Sequence, residues 1–390
     1  MISNRKLLVL VFALAAPIAW VDATKAGGAV LAAAPTSSTP SSETLTVDCS
    51  RGKSINAAIA ASRARKLRLE VSGPCAEAVV VERIGLTISG TAAGGATIDP
   101  PDVGVEPIGP AIRALGAHEL TLEDLTLTGA TTGLEASASR GVTLTRVNAV
   151  DNDQGGIHFV RGYGVLLKGS EAVITDSDIS SNFSPLLAAE GSHVRIADSD
   201  ITNNIADGPF SFANSTLVIS GCSLVGNAFG PQAVRNSRTR LVGSTVDSSG
   251  EGFALDNSLL EYIDSTITNM DASYADGNSI LSYVRSSVAM DFLGAFRSSR
   301  LEIRGSTVVV LADGLSADSD SYAQAERARV NPGVFPAVFR ESEITGNVVI
   351  SRFSDASFNT GVAIEGAVTC SERSRVTTNL TPTGRTSRCE

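Results

Sequence analysis

The 390-residue chain carries a formal net charge of −10, only 5% aromatic residues, and many Ser, Thr, Ala, Gly and Asn. That composition is poor material for one bulky globular core and suits stacked files of small and β-branched side chains. The negative balance argues against nucleic acid or an anionic membrane surface as partner.

In chain order, Arg5 and Lys6, the apolar run Leu7 to Ala16 and Val21-Asp22-Ala23 predict a secretory signal over residues 1–23. The apolar run is too short to span a bilayer comfortably, and no later segment is apolar enough to do so. Residues 24–43, rich in Ala, Thr, Ser and Pro, are expected as a disordered linker. The folded part is expected over 44–390, with an N-terminal cap at 44–78 and a C-terminal cap at about 360–390. Five cysteines fit an oxidising compartment, extracellular or periplasmic. Cys49 and Cys75 bracket the first folded segment, and Cys370 and Cys389 the last, so 49–75 and 370–389 are the expected bridges. Ser54 to Ser62 has apolar residues at helical spacing behind a Ser N-cap, predicting a short helix that covers the open end of the first coil.

A repeat of about 22 residues follows. Thr175-Asp176-Ser177-Asp178-Ile179 recurs as Ala197-Asp198-Ser199-Asp200-Ile201, and the column continues through Cys222, Ser244, Ser265, Ser286, Ser306 and Ser342. Val147 and Leu125 extend it backwards. Apolar residues stand two after this column (Ile179, Ile201, Leu224, Val246, Ile267) and three before it (Ile174, Ile196, Ile219, Leu241, Tyr262, Tyr283). Sites two apart on a strand face the same way, so these files point inward in coils stacked about 4.8 Å apart. Asp176 and Asp198 fall where Gly221 and Gly243 stand in later coils, as a left-handed turn demands. Asn152, Asn182, Asn204, Asn227 and Asn347 predict an asparagine ladder at another bend. Cys222, alone in a serine column, is expected as a buried, inert thiol. The fold class predicted is all-β, a right-handed parallel β-helix solenoid with a short N-terminal capping helix.

The phrases Val47-Asp48-Cys49, Gly52-Lys53-Ser54-Ile55-Asn56-Ala57-Ala58-Ile59 and Val71-Ser72-Gly73-Pro74-Cys75-Ala76-Glu77 resemble the opening of secreted right-handed β-helix proteins of the pectin-lyase-like superfamily. The resemblance covers about residues 47–390 and implies the fold. Its members include polysaccharide lyases, hydrolases, esterases, epimerases, adhesins and non-catalytic scaffolds, so it implies function weakly. It also implies that a substrate would lie along the outward face of the first sheet.

Counting back from the serine column, Val165 and Leu167, Phe210 and Phe212, and Phe253 and Leu255 are expected inward. Leu166, Ala188, Ser211, Ala233, Ala254, Ala275 and Ala295 are then expected outward, a flat Ala-rich face suited to docking or self-association. The next file, Lys168, Glu190, Ala213, Arg235, Asp256, Gly277 and Arg297, reads as a solvated ladder of mixed charge, with a sugar-binding strip as the sharper alternative. The Asp, Arg and His constellations of pectate lyases and polygalacturonases are missing from this face.

Three further groups stand out. Asp176, Asp178, Asp198 and Asp200 could share a calcium ion on adjacent coils, but turn geometry already accounts for two of them and no cofactor is expected. The 30-residue step before Ser177 carries an insertion whose Asp153, His158, Arg161 and Tyr163 offer an acid, a proton shuttle, a cation and a stacking ring. The 36-residue step to Ser342 predicts an excursion over 313–336 with a helix-prone Ala323 to Arg329. His118 and His193 start coils and are expected in solvent, and Asn182, Asn214 and Asn379 are formal glycosylation acceptors. The function expected is a non-catalytic exported scaffold that binds polysaccharide or another cell-envelope component. The rival is a polysaccharide lyase, epimerase or hydrolase working through the Asp153–Tyr163 loop.

Overall fold

The computed structural model describes residues 41–378 apart from 92–94, 102–108, 153–161, 249 and the short connections after 317, with side-chain surroundings as far as residue 308. The chain divides into Met1–Ser38 and Thr39–Glu390, and everything described lies in the second unit, so the expected signal and most of the expected linker lie outside the described residues.

A typical coil contributes three short strands, each paired in parallel with its counterpart one coil on. In one coil these are Tyr163–Lys168 on a first sheet, Glu171–Thr175 on a second and Asp178–Ser180 on a third. Second-sheet register runs Glu171, His193, Thr216, Arg238, Leu259, Ile280, Arg300. Third-sheet register runs Asp178, Asp200, Ser223, Thr245, Thr266, Ser287, Thr307. This is the parallel solenoid that the repeat predicts.

Polar columns hold the corners together. Ser177, Ser199, Cys222, Ser244, Ser265, Ser286 and Ser306 are all buried. Backbone amides one coil back donate to them, Ser177 N to Ser199 Oγ at 3.1 Å and Cys222 N to Ser244 Oγ at 3.2 Å. The column thereby supplies acceptors that a bend in a buried chain otherwise lacks. Burial pushes the Cys222 thiol up, which disfavours the reactive thiolate. The sequence reading misses a second column, Ser139, Ser170, Ser192, Ser215, Ser237, Ser258, Ser279 and Ser299, which does the same between the first and second sheets.

The third corner is the asparagine ladder. Asn204 Nδ2 donates to Asn227 Oδ1 at 2.7 Å and to Ile179 O at 3.1 Å, while its Oδ1 accepts the Asn182 backbone N–H at 3.0 Å. Asn182 is 0% exposed, which removes it as a glycosylation acceptor, whereas Asn214 is exposed in a turn. Past Asn227 the corner changes. Thr266–Asp276 and Ser287–Phe296 run unbroken from the third sheet into the first, and Met270 and Met290, partners across coils, are buried there.

At the N-terminal end, helix α1 spans Ile55–Ala61 behind the N-cap Ser54, whose hydroxyl accepts the Ala57 amide at 3.1 Å. The Glu77 carboxylate takes the Ile55 and Asn56 amides, and Ile55 is buried against the core. Asn56 seals the edge of the first-sheet strand Val79–Val81, accepting from Val80 N at 3.0 Å and donating to Ala78 O at 2.8 Å. Cys49 and Cys75 form the expected disulfide. For the second expected bridge, Cys389 and the surroundings of Cys370 lie outside what is described.

The 36-residue step resolves into two coils, not one coil with an excursion. Thr307 partners Arg329, which partners Glu343, and the helix-prone stretch forms a strand, Tyr322–Glu326, paired to Arg300–Arg304. Its residues favour helix individually, but a helix this short is marginal on its own, and the neighbouring strand edge offers it paired hydrogen bonds.

Candidate functional site

Leu167, Ala188, Ser211, Ala233, Ala254, Ala275 and Ala295 share one first-sheet register, and each is 0% exposed. The Ala file is therefore interior, which corrects the expectation of a flat Ala-rich outer face. Turn length explains the difference. After Lys168 the corner uses one left-handed residue, Gly169, before buried Ser170. Later coils use two: Glu190-Gly191, Ala213-Asn214, Arg235-Asn236, Asp256-Asn257, Gly277-Asn278 and Arg297-Ser298. The extra residue shifts strand parity relative to the serine column. Val165 and Leu167 do face inward, but Phe210, Phe212, Phe253 and Leu255 face out and are partly exposed. Small residues on the first sheet suit larger ones opposite. Tyr262 and Tyr283, fully buried, stack at 5.0 Å, and a Cβ on first-sheet Gly252 would already lie 3.0 Å from the Tyr262 hydroxyl.

The outward face consequently carries a strip of rings. Phe210, Gln232, Phe253 and Tyr274 form one file, and Phe212, Val234, Leu255, Asp276 and Phe296 form the next. Ring centroids lie 5.8 Å apart for Phe210–Phe212, 5.6 Å for Phe253–Tyr274, 6.2 Å for Tyr274–Phe296 and 5.9 Å for Phe292–Phe296. Gly294 follows Tyr274 in register, and a Cβ there would collide with both the Phe292 and Phe296 rings. Four coil steps of about 4.8 Å give the strip a length of roughly 19 Å.

Polar groups rim it. The Tyr274 hydroxyl donates to the Glu251 carboxylate at 3.1 Å, and burial, then Glu251, pushes its pKa up to about 12. Arg297 Nε donates to Asp276 Oδ1 at 2.5 Å, and the Arg235 guanidinium lies 4.7 Å over the Phe212 ring. Of the residues expected to form a charged strip, Lys168 sits on the strand and binds Glu135 at 3.0 Å. Glu190, Arg235, Asp256 and Arg297 instead take the first left-handed position of the two-residue turns and are exposed. They stack at one turn along a border of the first sheet, from the coil before Phe210 to the coil of Phe296.

Asp153, His158 and Arg161 lie outside the described residues, and Tyr163 is half-buried at the start of a first-sheet strand, its amide donating to Thr131 O at 3.0 Å. Asp176 and Asp198 have positive φ in their turns, while Asp178 and Asp200 are strand partners on the third sheet. Among the described residues no three His, Cys, Asp or Glu side chains gather as a metal ion would require. His118 and His193 are exposed, as their positions predict.

Right handed beta helix region is the description of the family model that matches residues 105–246 and, overlapping, 157–291. Among solved structures, the chain is similar to the catalytic domain of Agl-KA, at 10% identity over 86% of this chain and 68% of that one, with a TM-score of 0.38. It is also similar to the catalytic domain of a GH87 alpha-1,3-glucanase in complex with tetrasaccharides, at 12% identity over 87% and 70%, with the same TM-score of 0.38. No curated protein matches the sequence.

Proposed function

We propose that this right-handed parallel β-helix protein is an exported scaffold that holds a carbohydrate chain along the ring strip of its first sheet. The observation that carries the reading is the presence of partly exposed rings on four of five coils, three of them successive (Phe253, Tyr274, and Phe292 with Phe296). A coil step of about 4.8 Å is close to the advance per sugar of an extended pyranose chain. Apolar C–H faces of sugars pack on aromatic rings, and an exposed apolar patch rimmed by polar groups marks a contact surface. Export is supported by the Cys49–Cys75 disulfide and by the basic-then-apolar N-terminal sequence.

Binding is favoured over turnover at the centre of the strip, where the polar groups beside Tyr274 are already engaged. Asp276 is held by Arg297, Glu251 accepts the Tyr274 hydroxyl, and Tyr274 itself is too weak an acid to trade protons near neutrality. The test is binding of the purified full chain to a panel of soluble polysaccharides, followed by Phe253→Ala and Tyr274→Ala. Each substitution is expected to weaken binding about tenfold, about 1.4 kcal/mol, with an unchanged melting profile. Full binding by both variants would remove the strip from the reading, and ring-dependent self-association would replace it with a dimer interface. Turnover of any polysaccharide that His158→Ala and Arg161→Ala abolish would make the protein an enzyme.

A further inference from the structure

Resting on that reading, we infer that the strip takes glycans that bear no carboxylate or sulfate, and rejects polyanionic ones. The argument is the sign of the charge around the rings. The first-sheet strands from Phe210 to Phe296 and their bordering turns carry six carboxylates, Asp207, Glu251, Asp256, Asp271, Asp276 and Asp291, against two guanidiniums, Arg235 and Arg297. Four negative charges therefore remain over a face roughly 19 Å long.

Of the two cations, Arg297 is already paired to a carboxylate, and Arg235 alone does not offset the surrounding acids. Arg297 donates through Nε and Nη2 to Asp276, and the Arg235 guanidinium carbon lies 4.7 Å from the centre of the Phe212 ring. Asp256 and Asp271, by contrast, are exposed on opposite borders of the strip. A polyuronate laid along the rings would run its carboxylates beside one acidic border, Asp207, Glu251, Asp271 and Asp291, while Arg235, Asp256 and Arg297 make the other border mixed. Like charges so placed repel over a Debye length of about 30 Å at 0.01 M salt, which covers the strip, and about 8 Å at 0.15 M, which does not. A neutral chain meets the same rings and hydroxyl acceptors without that cost. The Lys168–Glu135–Arg113 ion-pair group, which could attract an anion, lies before the first ring and is already internally paired.

The experiment compares neutral glucans of several linkages with polygalacturonate fragments of matched length, by calorimetry at about 0.01 M and about 0.15 M salt. A neutral glucan is expected to bind at least tenfold more tightly than polygalacturonate at low salt, with the gap narrowing at higher salt. Asp256→Asn with Asp271→Asn is expected to raise polygalacturonate affinity at low salt and leave neutral affinity within twofold. Polygalacturonate binding as tightly as the neutral chain, or a gap indifferent to salt and to the Asn substitutions, overturns the inference while sparing the strip. If Phe253→Ala and Tyr274→Ala leave every affinity unchanged, or if no glycan of either kind binds, the strip reading falls and this inference falls with it.

Discussion

Replacing Asn204 by Ala tests how the solenoid is held together. Its Oδ1 accepts the buried backbone N–H of Asn182 at 3.0 Å, and its Nδ2 donates to Ile179 O, Thr202 O and Asn227 Oδ1. Thr202 O keeps a second donor, the Ser181 amide, and Asn227 Oδ1 keeps the Asn204 backbone N–H. The Asn182 amide loses the acceptor of its hydrogen bond and sits at a corner where water cannot replace it. An orphaned buried donor costs about 2 kcal/mol, and the net loss of the remaining bonds adds about 1 kcal/mol. Because each coil contacts chiefly its neighbours, that loss is expected to stay local. Hydrogen exchange read by mass spectrometry should show protection falling about a hundredfold in peptides covering residues 178–206, while peptides covering 259–263 change less than threefold. Unchanged protection around Asn182, or an equal loss along the whole chain, would refute the reasoning.

Other consequences are measurable. Tyr274 is expected to ionise near 12, and Glu251→Gln to bring it only partway down because burial is the larger cause; phenolate absorbance against pH reads this directly. Tyr262 and Tyr283 are raised mainly by burial, so the stability they contribute is whole below the ordinary tyrosine value of 10.0 and declines as pH climbs above it; melting should stay flat to that point and then fall. Cys49→Ala with Cys75→Ala opens a loop of separation 26 and should cost the first coils about 3.5 kcal/mol, seen as early loss of exchange protection around Leu67 and Leu69. Asp264 is held below the usual carboxylate range by the side-chain hydrogen bond from Arg285, so Arg285→Ala should return its NMR titration to an ordinary carboxylate value. The pair's support is present above that ordinary value and disappears as pH falls through the lowered one.

Register was legible in the sequence because two columns cannot drift. Ser177 through Ser306 and Asn152 through Asn227 each need a side chain of one size at one corner, so their spacing survives changes elsewhere. The first-sheet face was not legible by the same count. A single added residue at Glu190-Gly191 inverts parity, and large aromatics such as Phe210 and Phe253 read naturally as core. The signal that would have found it is the turn itself: the Asn of Ala213-Asn214, Arg235-Asn236 and Asp256-Asn257 marks a second left-handed residue that Gly169 alone does not require. The 36-residue step misled for a different reason, since neither Ala328 nor its neighbours supply the serine that marks a coil elsewhere.

The corner occupied by Met270 and Met290 gives the molecule an internal reporter. Apart from Met1 these are the chain's two methionines, and they are 1% and 0% exposed on successive coils. Peroxide converts a thioether to a polar sulfoxide only where it can reach the sulfur. Sulfoxide accumulating at these two sites therefore clocks how often the solenoid parts between the coils they join, with no label added and no residue changed.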